Sequence, residues 1–334
     1  MAGGQERILR RRIRSVQATK KITRAMELIA GSRIVRAQAR VQAAVPYSET
    51  ITEVVRDLAA AGAGTNSPLL APRAETKKVA HIVIAADRGL CGGYNSSVIR
   101  AAEGSVREHA TMGHDYSLIV VGRKAESYFR YRDYRLDAVF TGFSDQPSYE
   151  DARSVARAVE GPFLAGEYDL VELIYTRFVS AGTQEVVVRP LMPLDRELLE
   201  GGDARPDSPS GDADDVPPTY EFEPSPDAIL ERLLPRYAVA RVYAALLNAA
   251  ASEHAARQRA MKAATDNADD LITSLSRIMN RARQDAITTE IMEIVGGAEA
   301  LNQSKGSRED LLPDHLINDD VFPQHLDRLD HSAR

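Results

Sequence analysis

The residues best placed to do chemistry form a glycine-rich turn, Asp87-Arg88-Gly89-Leu90-Cys91-Gly92-Gly93-Tyr94-Asn95. The turn follows a strand-like apolar run and precedes a helix-like stretch, as a phosphate-binding loop would. However, its glycines lack the G-x-G-x-x-G spacing, and no G-K-[ST] follows to place a lysine on phosphate and a hydroxyl on magnesium. We therefore interpret it as a tight strand-to-helix turn whose backbone passes close to a neighbour.

Other candidate chemical groups carry weaker signals. Cys91, the single cysteine, could be a nucleophile activated by Arg88 and a helix N-terminus, but no base partner is identifiable, so a packing role is favoured. The acids of residues 203–215 lack the glycine and glutamate of a calcium loop. Three histidines near the C-terminus have no metal-ligand spacing; they are His315, His325 and His331. We expect no cofactor, no metal and no active site.

Charge is distributed unevenly along the 334 residues. The net charge is −6, yet residues 1–40 carry eleven Lys/Arg against Glu6 and Glu27, which gives +9 there and −15 elsewhere. Such a basic segment, with Lys20, Lys21 and Arg24 at its centre, predicts an acidic partner. The partner could be nucleic acid, through phosphate neutralisation, or an acidic protein surface.

The longest predicted element is a helix over residues 225–301. Ser225-Pro226 supplies an N-cap and a first-turn proline, and Gly296-Gly297 is expected to end the helix. Apolar residues in the middle recur at alternating steps of three and four, which indicates the seam of a coiled coil. The predicted seam consists of Met261, Ala264, Ala268, Leu271, Leu275, Ile278 and Ala282.

The expected partner of this helix is an N-terminal helix within residues 1–64, bent at Pro46. Its apolar pattern includes Leu9, Ile13, Val16, Ile22, Met26 and Ile29, and then Tyr47, Ile51, Val54 and Leu58. Because one helix leads away from the middle of the chain and the other returns from it, we expect a long antiparallel coiled coil of N- and C-terminal helices.

Between the helices, alternating strands and helices predict an α/β domain over residues 75–222. We expect a central Rossmann-like domain with a mostly parallel sheet and an antiparallel edge. The predicted strands are 79–86, 118–121, 136–140, 170–178 and 185–191, with a hairpin near Ala181-Gly182. The predicted helices are 95–112, 125–131 and 150–164. Residues 200–218 are predicted to be a solvated acidic loop, and residues 302–334 a mostly disordered polar tail.

Several separated motifs in this order resemble the gamma subunit of the rotary F-type ATP synthase, over residues 5–301. The N-terminal match is Ile13-Arg14-Ser15-Val16 with Lys20-Lys21-Ile22-Thr23-Arg24-Ala25-Met26-Glu27. The glycine-rich turn is similar to the family's central motif. The C-terminal match is Ser252-Glu253, Arg257, Met261 to Ala268, Asn280 to Gln284, Ile287-Thr288, Glu290 and Glu293-Ile294-Val295.

This resemblance implies a non-catalytic rotor. In the family the terminal helices form the central shaft inside a ring of three alpha and three beta subunits, one copy per complex. The α/β domain forms the foot, beside the epsilon subunit and the membrane c-ring. Proton flow turns the ring, and the shaft drives ATP synthesis or, in reverse, hydrolysis. With no targeting segment apparent, we expect a peripheral protein on the cytoplasmic face of a bacterial cell membrane.

The resemblance also assigns individual residues. Four residues occupy positions that face the beta-subunit catch loops in the family: Arg283, Gln284, Thr288 and Glu290. Met26, Arg257 and Met261 lie where the family's helices meet at a coupling-sensitive level, although simple helix pairing would explain Met261 equally well. Met279 stands where the family commonly has Tyr. The tail after Leu301 extends past the usual family end, and we hypothesise that it modulates rotation.

Two other classes of function are weighed against the rotor. A nucleotide-dependent α/β enzyme is disfavoured by the absent phosphate-loop spacing. A coiled-coil nucleic-acid-binding protein is disfavoured because the chain is net acidic and its basic stretch also supplies half of the predicted helix pair, so we expect no nucleic acid.

Overall fold

A computed structural model describes residues 2–60, 67–70, 73, 75–194, 223 and 225–309. The described helices are α1 (Ala2–Ala60), α2 (Tyr94–Thr111), α3 (Arg123–Tyr131), α4 (Tyr149–Leu164) and α5 (Pro226–Glu309). The described strands are β1 (Lys78–Ile84), β2 (Asp115–Val121), β3 (Leu136–Phe140), β4 (Leu170–Phe178) and β5 (Gln184–Met192). The loop at 200–218, the acids at 203–215 and the three C-terminal histidines lie outside the described residues.

The five strands form one sheet in the order β3-β2-β1-β4-β5. β1 pairs in parallel with β2 and β4, and β2 pairs in parallel with β3, while β5 pairs antiparallel with β4. The predicted strands, the mostly parallel sheet and the antiparallel edge are therefore confirmed. β1 is almost completely buried because it is central and covered on both faces.

Helices cover both faces of this sheet. On one face α2 and α3 contribute Val98, Ala102 and Phe129 to a cluster with Val83 and Val120. On the other face a larger cluster combines α4 with the end of α1 and the beginning of α5; its members include Val55, Leu58, Val155, Phe163, Leu230 and Leu234. Both terminal helices are thus part of the core of the α/β domain.

The start of α5 is as predicted, but its end is not. The Ser225 hydroxyl accepts a hydrogen bond from the Ala228 N–H at 3.3 Å, which caps a helix that begins at Pro226. The prediction that Gly296-Gly297 ends this helix is wrong, because α5 continues to Glu309. Neither glycine is among those with positive φ, so no left-handed cap forms there. Residues 302–309 are helical, which corrects the predicted disorder for the first part of the tail.

The buried stripe of α1 differs from its apolar pattern. Ile22 and Ile29 are exposed, although both were predicted to face the partner helix. Thr23 and Glu27 are buried instead. Buried and half-buried positions alternate by three and four through Pro46, which lies inside the helix. These positions are 13, 16, 20, 23, 27, 30, 34, 37, 41, 44, 48, 51, 55 and 58.

The seam predicted on α5 is right at five of its seven positions. Met261, Ala268 and Leu275 are buried, and Ala264 and Ala282 are half-buried, but Leu271 and Ile278 are 41% and 51% exposed. The residues that follow these two, Ile272 and Met279, are half-buried in their place. The prediction failed because adjacent apolar pairs satisfy the same spacing, so periodicity alone cannot choose between them.

The chain divides into two compact units, one formed by residues 19–268 and the other by residues 1–18 with the chain from residue 269 onward. The first unit contains the sheet and every site described below except the exposed residues beyond position 280. Within the described residues, no helix is both long and apolar enough to cross a membrane.

Candidate functional site

The glycine-rich turn lies at the carboxyl edge of the parallel strands, where Asp87 joins three loops. The Asp87 carboxylate accepts backbone hydrogen bonds from Gly142 at 2.9 Å, Ser144 at 3.1 Å and Arg123 at 3.1 Å. The Ser144 hydroxyl in turn accepts the Asp87 N–H at 2.9 Å. One carboxylate thus fixes the chain after β1, β2 and β3, because ionised oxygens can accept several N–H groups at once.

Two glycines near this edge are required for different reasons. At Gly122, where φ is +98°, an added Cβ would lie 2.3 Å from the Ala85 carbonyl oxygen, so the backbone passes too close for a side chain. Gly92, inside the glycine-rich turn, has φ +58°, and a Cβ there would meet the Ala260 Cβ on α5 at 3.7 Å, which is an ordinary contact. The turn is therefore tight, as predicted, but the close backbone approach that was predicted for it occurs at Gly122, outside the turn.

Helix α5 is bonded to this turn through Arg257. Its guanidinium donates to the carbonyl oxygens of Gly89 at 3.3 Å and Arg88 at 3.5 Å, and to the Glu253 carboxylate at 2.7 Å. The second Glu253 oxygen accepts from the Ser144 hydroxyl at 3.4 Å. A chain of hydrogen bonds thus runs from α5 through Glu253 and Ser144 to Asp87, and links the helix to the edge of the sheet.

Burial shapes the electrostatics of this junction. Glu253 is 1% exposed, and burial raises the pKa of its carboxyl, while the adjacent Arg257 opposes that shift. The next residue, His254, is also buried, and the lost hydration lowers its pKa to about 4. His254 is therefore neutral at physiological pH, whereas Arg257 is charged and compensates Glu253.

Helix α1 reaches the same region by two further contacts. Arg33 forms a 2.8 Å ion pair with Asp145, beside Ser144. The Thr23 and Thr265 hydroxyl oxygens lie 2.8 Å apart in the buried face between α1 and α5. A Cβ on Gly31 would contact the Gln258 side chain at 3.1 Å. Within this unit, residue numbers therefore increase along α1 while the numbers of the α5 residues opposite them decrease.

The three predicted coupling-level residues lie close to these contacts. Met261 is buried, Arg257 contacts the glycine-rich turn as described, and Met26 is half-buried one turn after Thr23. The basic residues are more exposed: Lys20 is half-buried, while Lys21 and Arg24 are exposed, and Arg24 pairs with Glu27 at 2.8 Å.

The predicted beta-contact residues are all exposed on α5. Arg283, Gln284, Thr288 and Glu290 present their side chains to solvent, and the Thr288 hydroxyl donates to the Gln284 carbonyl at 3.0 Å within the helix. Their exposure leaves them available for contact with another protein.

The geometry gives no support to a thiol nucleophile. Cys91 is 1% exposed, and burial raises the pKa of its thiol, which opposes formation of the reactive thiolate. Its sulfur instead accepts a hydrogen bond from the Asn95 amide at 3.1 Å, in keeping with a packing role. Among the described residues, no three His, Cys, Asp or Glu side chains are grouped to hold a metal ion.

The sequence analysis named Asp87 only as part of the glycine-rich turn and Glu253 only as part of the C-terminal match, and it did not name Ser144. Two signals were available: Asp87 comes directly after a buried strand, and Glu253 precedes Arg257 by one helical turn, the spacing of an intrahelical ion pair. Ser144 had no comparable signal, since its role depends on how three loops meet.

Comparison with known proteins agrees with this architecture. The family model described as ATP synthase matches residues 5–301. The ATP synthase gamma chain of Frankia casuarinae is 51% identical over 302 residues, covering 89% of this chain and 98% of the relative. That of Kineococcus radiotolerans is 48% identical, covering 91% and 99%. That of Mycolicibacterium smegmatis is 46% identical, covering 90% and 98%.

Two solved structures share the fold at low sequence identity. A chain from the Tetrahymena thermophila mitochondrial ATP synthase central stalk and c-ring is 24% identical, with a TM-score of 0.53 and coverage of 73% of this chain and 99% of that one. A chain from the Euglena gracilis OSCP/F1/c-ring structure is 17% identical, with a TM-score of 0.61 and coverage of 91% and 96%. The sequence matches and the motifs at the glycine-rich turn and along both terminal helices agree: this chain belongs to the ATP synthase gamma chain family.

Proposed function

We infer that the chain is the central rotor shaft of an F-type ATP synthase. It couples rotation of a membrane ring to conformational change in catalytic subunits, for ATP synthesis and, in reverse, hydrolysis. The observation that carries this inference is the bonding of the 84-residue helix α5 to the α/β domain through Arg257, in a chain of the gamma family. A helix that transmits torque must be fixed to the domain that receives it.

The shaft acts by contacting different conformations of the catalytic subunits differently. A rotor can shift a catalytic subunit between conformations only if it contacts those conformations differently. We propose that α1 and α5 form a long antiparallel coiled coil, which the opposed contacts at Thr23–Thr265 and Gly31–Gln258 support. Arg283, Gln284, Thr288 and Glu290 would contact the beta subunits, while Met26, Arg257 and Met261 would set the coupling-sensitive level between the helices.

The proposed assembly follows the family. One copy of the chain turns inside three alpha and three beta subunits, with the Rossmann-like domain (residues 75–222) as the foot beside the epsilon subunit and the c-ring. The terminal helices, residues 1–64 and 225–301, form the shaft, and Lys20, Lys21 and Arg24 face acidic loops. The chain carries no catalytic site of its own, and it lies peripherally on the cytoplasmic face of a bacterial cell membrane.

Purification through a tag on this chain tests the proposal. We would isolate the tagged chain from detergent-solubilised host membranes, weigh the complex in its native state and assay its ATPase. A complex of one tagged chain with three copies each of two large nucleotide-binding subunits supports the rotor. A free chain, or one bound to nucleic acid, contradicts it. Truncation after Asn302 then tests the tail, since unchanged assembly, synthesis and hydrolysis would exclude a role in rotation.

A further inference from the structure

A hollow of about 400 Å³ lies beside the glycine-rich turn and is not used by the contacts described above. Gly92, Gly93 and Ser97 line it at the beginning of α2, Thr176 lines it from β4, and Arg259 lines it from α5. Ala256, Ala260 and Val186 supply apolar walls. All of these residues are described and belong to the unit that contains the sheet.

The beginning of α2 gives this hollow a positive end. The 18-residue helix has Gly93 at its N-cap, no side-chain cap and no acidic residue in its first turn. The uncapped N–H groups and the aligned peptide dipoles therefore present about half a positive charge. The Tyr94 N–H donates to the Cys91 carbonyl oxygen at 3.3 Å, and no side-chain cap satisfies the N–H groups that follow it in the first turn.

Two side chains add donors to the same hollow. Arg259 is exposed and brings a guanidinium whose other hydrogen bonds go to the Ala181 carbonyl at 2.6 Å and to the Gln184 side chain. Thr176 is 4% exposed, and its hydroxyl has no hydrogen-bond partner within the described part of the chain. A buried hydroxyl without a partner is costly, so it indicates a group that is missing from the hollow.

We propose that this hollow binds a small oxyanion, a phosphate group held between the N-terminus of α2, the Arg259 guanidinium and the Thr176 hydroxyl. No carboxylate is among the described residues that line the hollow, so no negative charge there competes with an anion for the Arg259 guanidinium. Helix N-termini combined with an arginine and a hydroxyl are a recurrent way to bind phosphate. The role is separate from torque transmission and needs no other subunit.

The test is a titration of the full chain with inorganic phosphate, followed by thermal unfolding at fixed ionic strength with chloride as the reference salt. We expect a saturable rise in Tm with phosphate that chloride does not produce. Glycerol 3-phosphate in a parallel titration distinguishes the source, because tighter binding of the ester indicates a phosphorylated organic molecule and equal binding indicates free phosphate.

Three variants separate binding from folding. Arg259→Gln is expected to raise the half-saturating phosphate concentration about tenfold or more, whereas Arg232→Gln, an exposed arginine on the same helix, leaves it unchanged. Thr176→Val is expected to raise it about fivefold while the Tm of the free chain stays constant or rises, since an unpaired buried hydroxyl is removed.

Three results would overturn the proposal. They are a phosphate response no larger than that of chloride, wild-type binding by both Arg259→Gln and Thr176→Val, or binding of an acidic peptide without binding of phosphate. The last result would identify the hollow as a protein-docking surface.

Discussion

Thr23 and Thr265, which are 242 positions apart in the sequence, place their hydroxyl oxygens 2.8 Å from each other in the buried face between α1 and α5. Each hydroxyl is also within hydrogen-bond distance of a carbonyl oxygen of its own helix, that of Lys20 at 3.0 Å and that of Met261 at 2.9 Å. Since each hydroxyl has one proton, one of them donates to the other threonine while the second donates to its own helix. The two helices therefore meet at a polar pair in a stripe that elsewhere contains Ala30, Ile34 and Ala268. A buried polar pair of this kind favours one register between the helices, because a slip removes the hydrogen bond between the two hydroxyls.

Replacing one threonine of this pair is expected to lower the unfolding free energy by more than half of the decrease that the double replacement causes. Thr23→Val or Thr265→Val alone leaves a buried hydroxyl with one partner fewer, at roughly 1 kcal/mol of unfolding free energy. The double variant removes both hydroxyls, so a double-mutant cycle by urea denaturation of the full chain should give a coupling energy of about 0.5–1.5 kcal/mol. Strict additivity would show that the two hydroxyls do not interact.

Arg257→Gln is expected to destabilise the chain more than Glu253→Gln. The first change leaves the Glu253 carboxylate buried without its cation, a loss of roughly 3–5 kcal/mol at neutral pH. The second leaves Arg257 with the carbonyls of Arg88 and Gly89. Because burial raises the pKa of Glu253, the carboxyl takes up a proton more readily in the folded chain than in the unfolded one. The Arg257→Gln defect should therefore shrink as pH falls towards 5, and urea midpoints at several pH values would reveal this. If the loss of unfolding free energy in Arg257→Gln instead grew as pH fell, Glu253 would not be the buried carboxylate that causes the loss.

The lowered pKa of His254 predicts that the folded chain loses stability in mild acid. Its pKa is about 4 in the folded chain and about 6.5 when unfolded, so the unfolded chain binds more protons between these values. Stability is then fully present above pH 6.5 and declines as pH falls to about 4, by roughly 3 kcal/mol. His254→Gln should flatten this part of the curve of unfolding free energy against pH. Parallel curves for the wild type and the variant would assign the titration to another group.

Two glycine-to-alanine changes are expected to have opposite effects. Gly122→Ala places a Cβ 2.3 Å from the Ala85 carbonyl oxygen at a positive φ, so the turn after β2 must move or the chain loses several kcal/mol. Gly104→Ala, inside α2, meets nothing within 4 Å and should stabilise by up to about 1 kcal/mol. Thermal unfolding of the two variants side by side provides the measurement, and similar Tm values would contradict the close packing at Gly122.

The double change Arg283→Ala with Gln284→Ala is expected to alter coupling and not folding. Both side chains are exposed, so the unfolding free energy of the chain should stay within about 0.5 kcal/mol of wild type. If they contact the beta subunits, ATP synthesis by membrane vesicles that carry the variant should fall severalfold, while Arg232→Ala serves as a control with one exposed arginine removed. Unaffected synthesis would exclude these two residues from the contact.

The sequence was informative wherever local rules and tertiary structure agree. The alternation of strands and helices, the hairpin at Ala181-Gly182 and the cap at Ser225 all follow from short-range patterns, and the structure confirms them. The glycine-rich turn was predicted to be a tight strand-to-helix turn, and the structure places it between β1 and α2 with Gly92 at positive φ.

The errors on α1 arose where polar residues occupy buried positions. Thr23, Glu27 and Thr265 lie on the face between the helices, so apolar periodicity selected the neighbouring Ile22 and Ile29 instead. The network of Asp87, Ser144 and Glu253 joins residues from three loops and a distant helix. No pattern within one segment contains that information, because it arises only when the segments pack together.

The helical conformation of Gly296 and Gly297 affects how often α5 opens locally. Each glycine lowers the local cost of leaving the helix by about 1 kcal/mol relative to alanine. Two in succession therefore make transient opening there roughly thirtyfold more frequent than at an alanine pair. The stretch from Ser225 to Val295 has no glycine, so the helix should bend more readily at Gly296-Gly297 than in that stretch. Amide hydrogens around the two glycines should therefore exchange with solvent faster than those of the preceding turns.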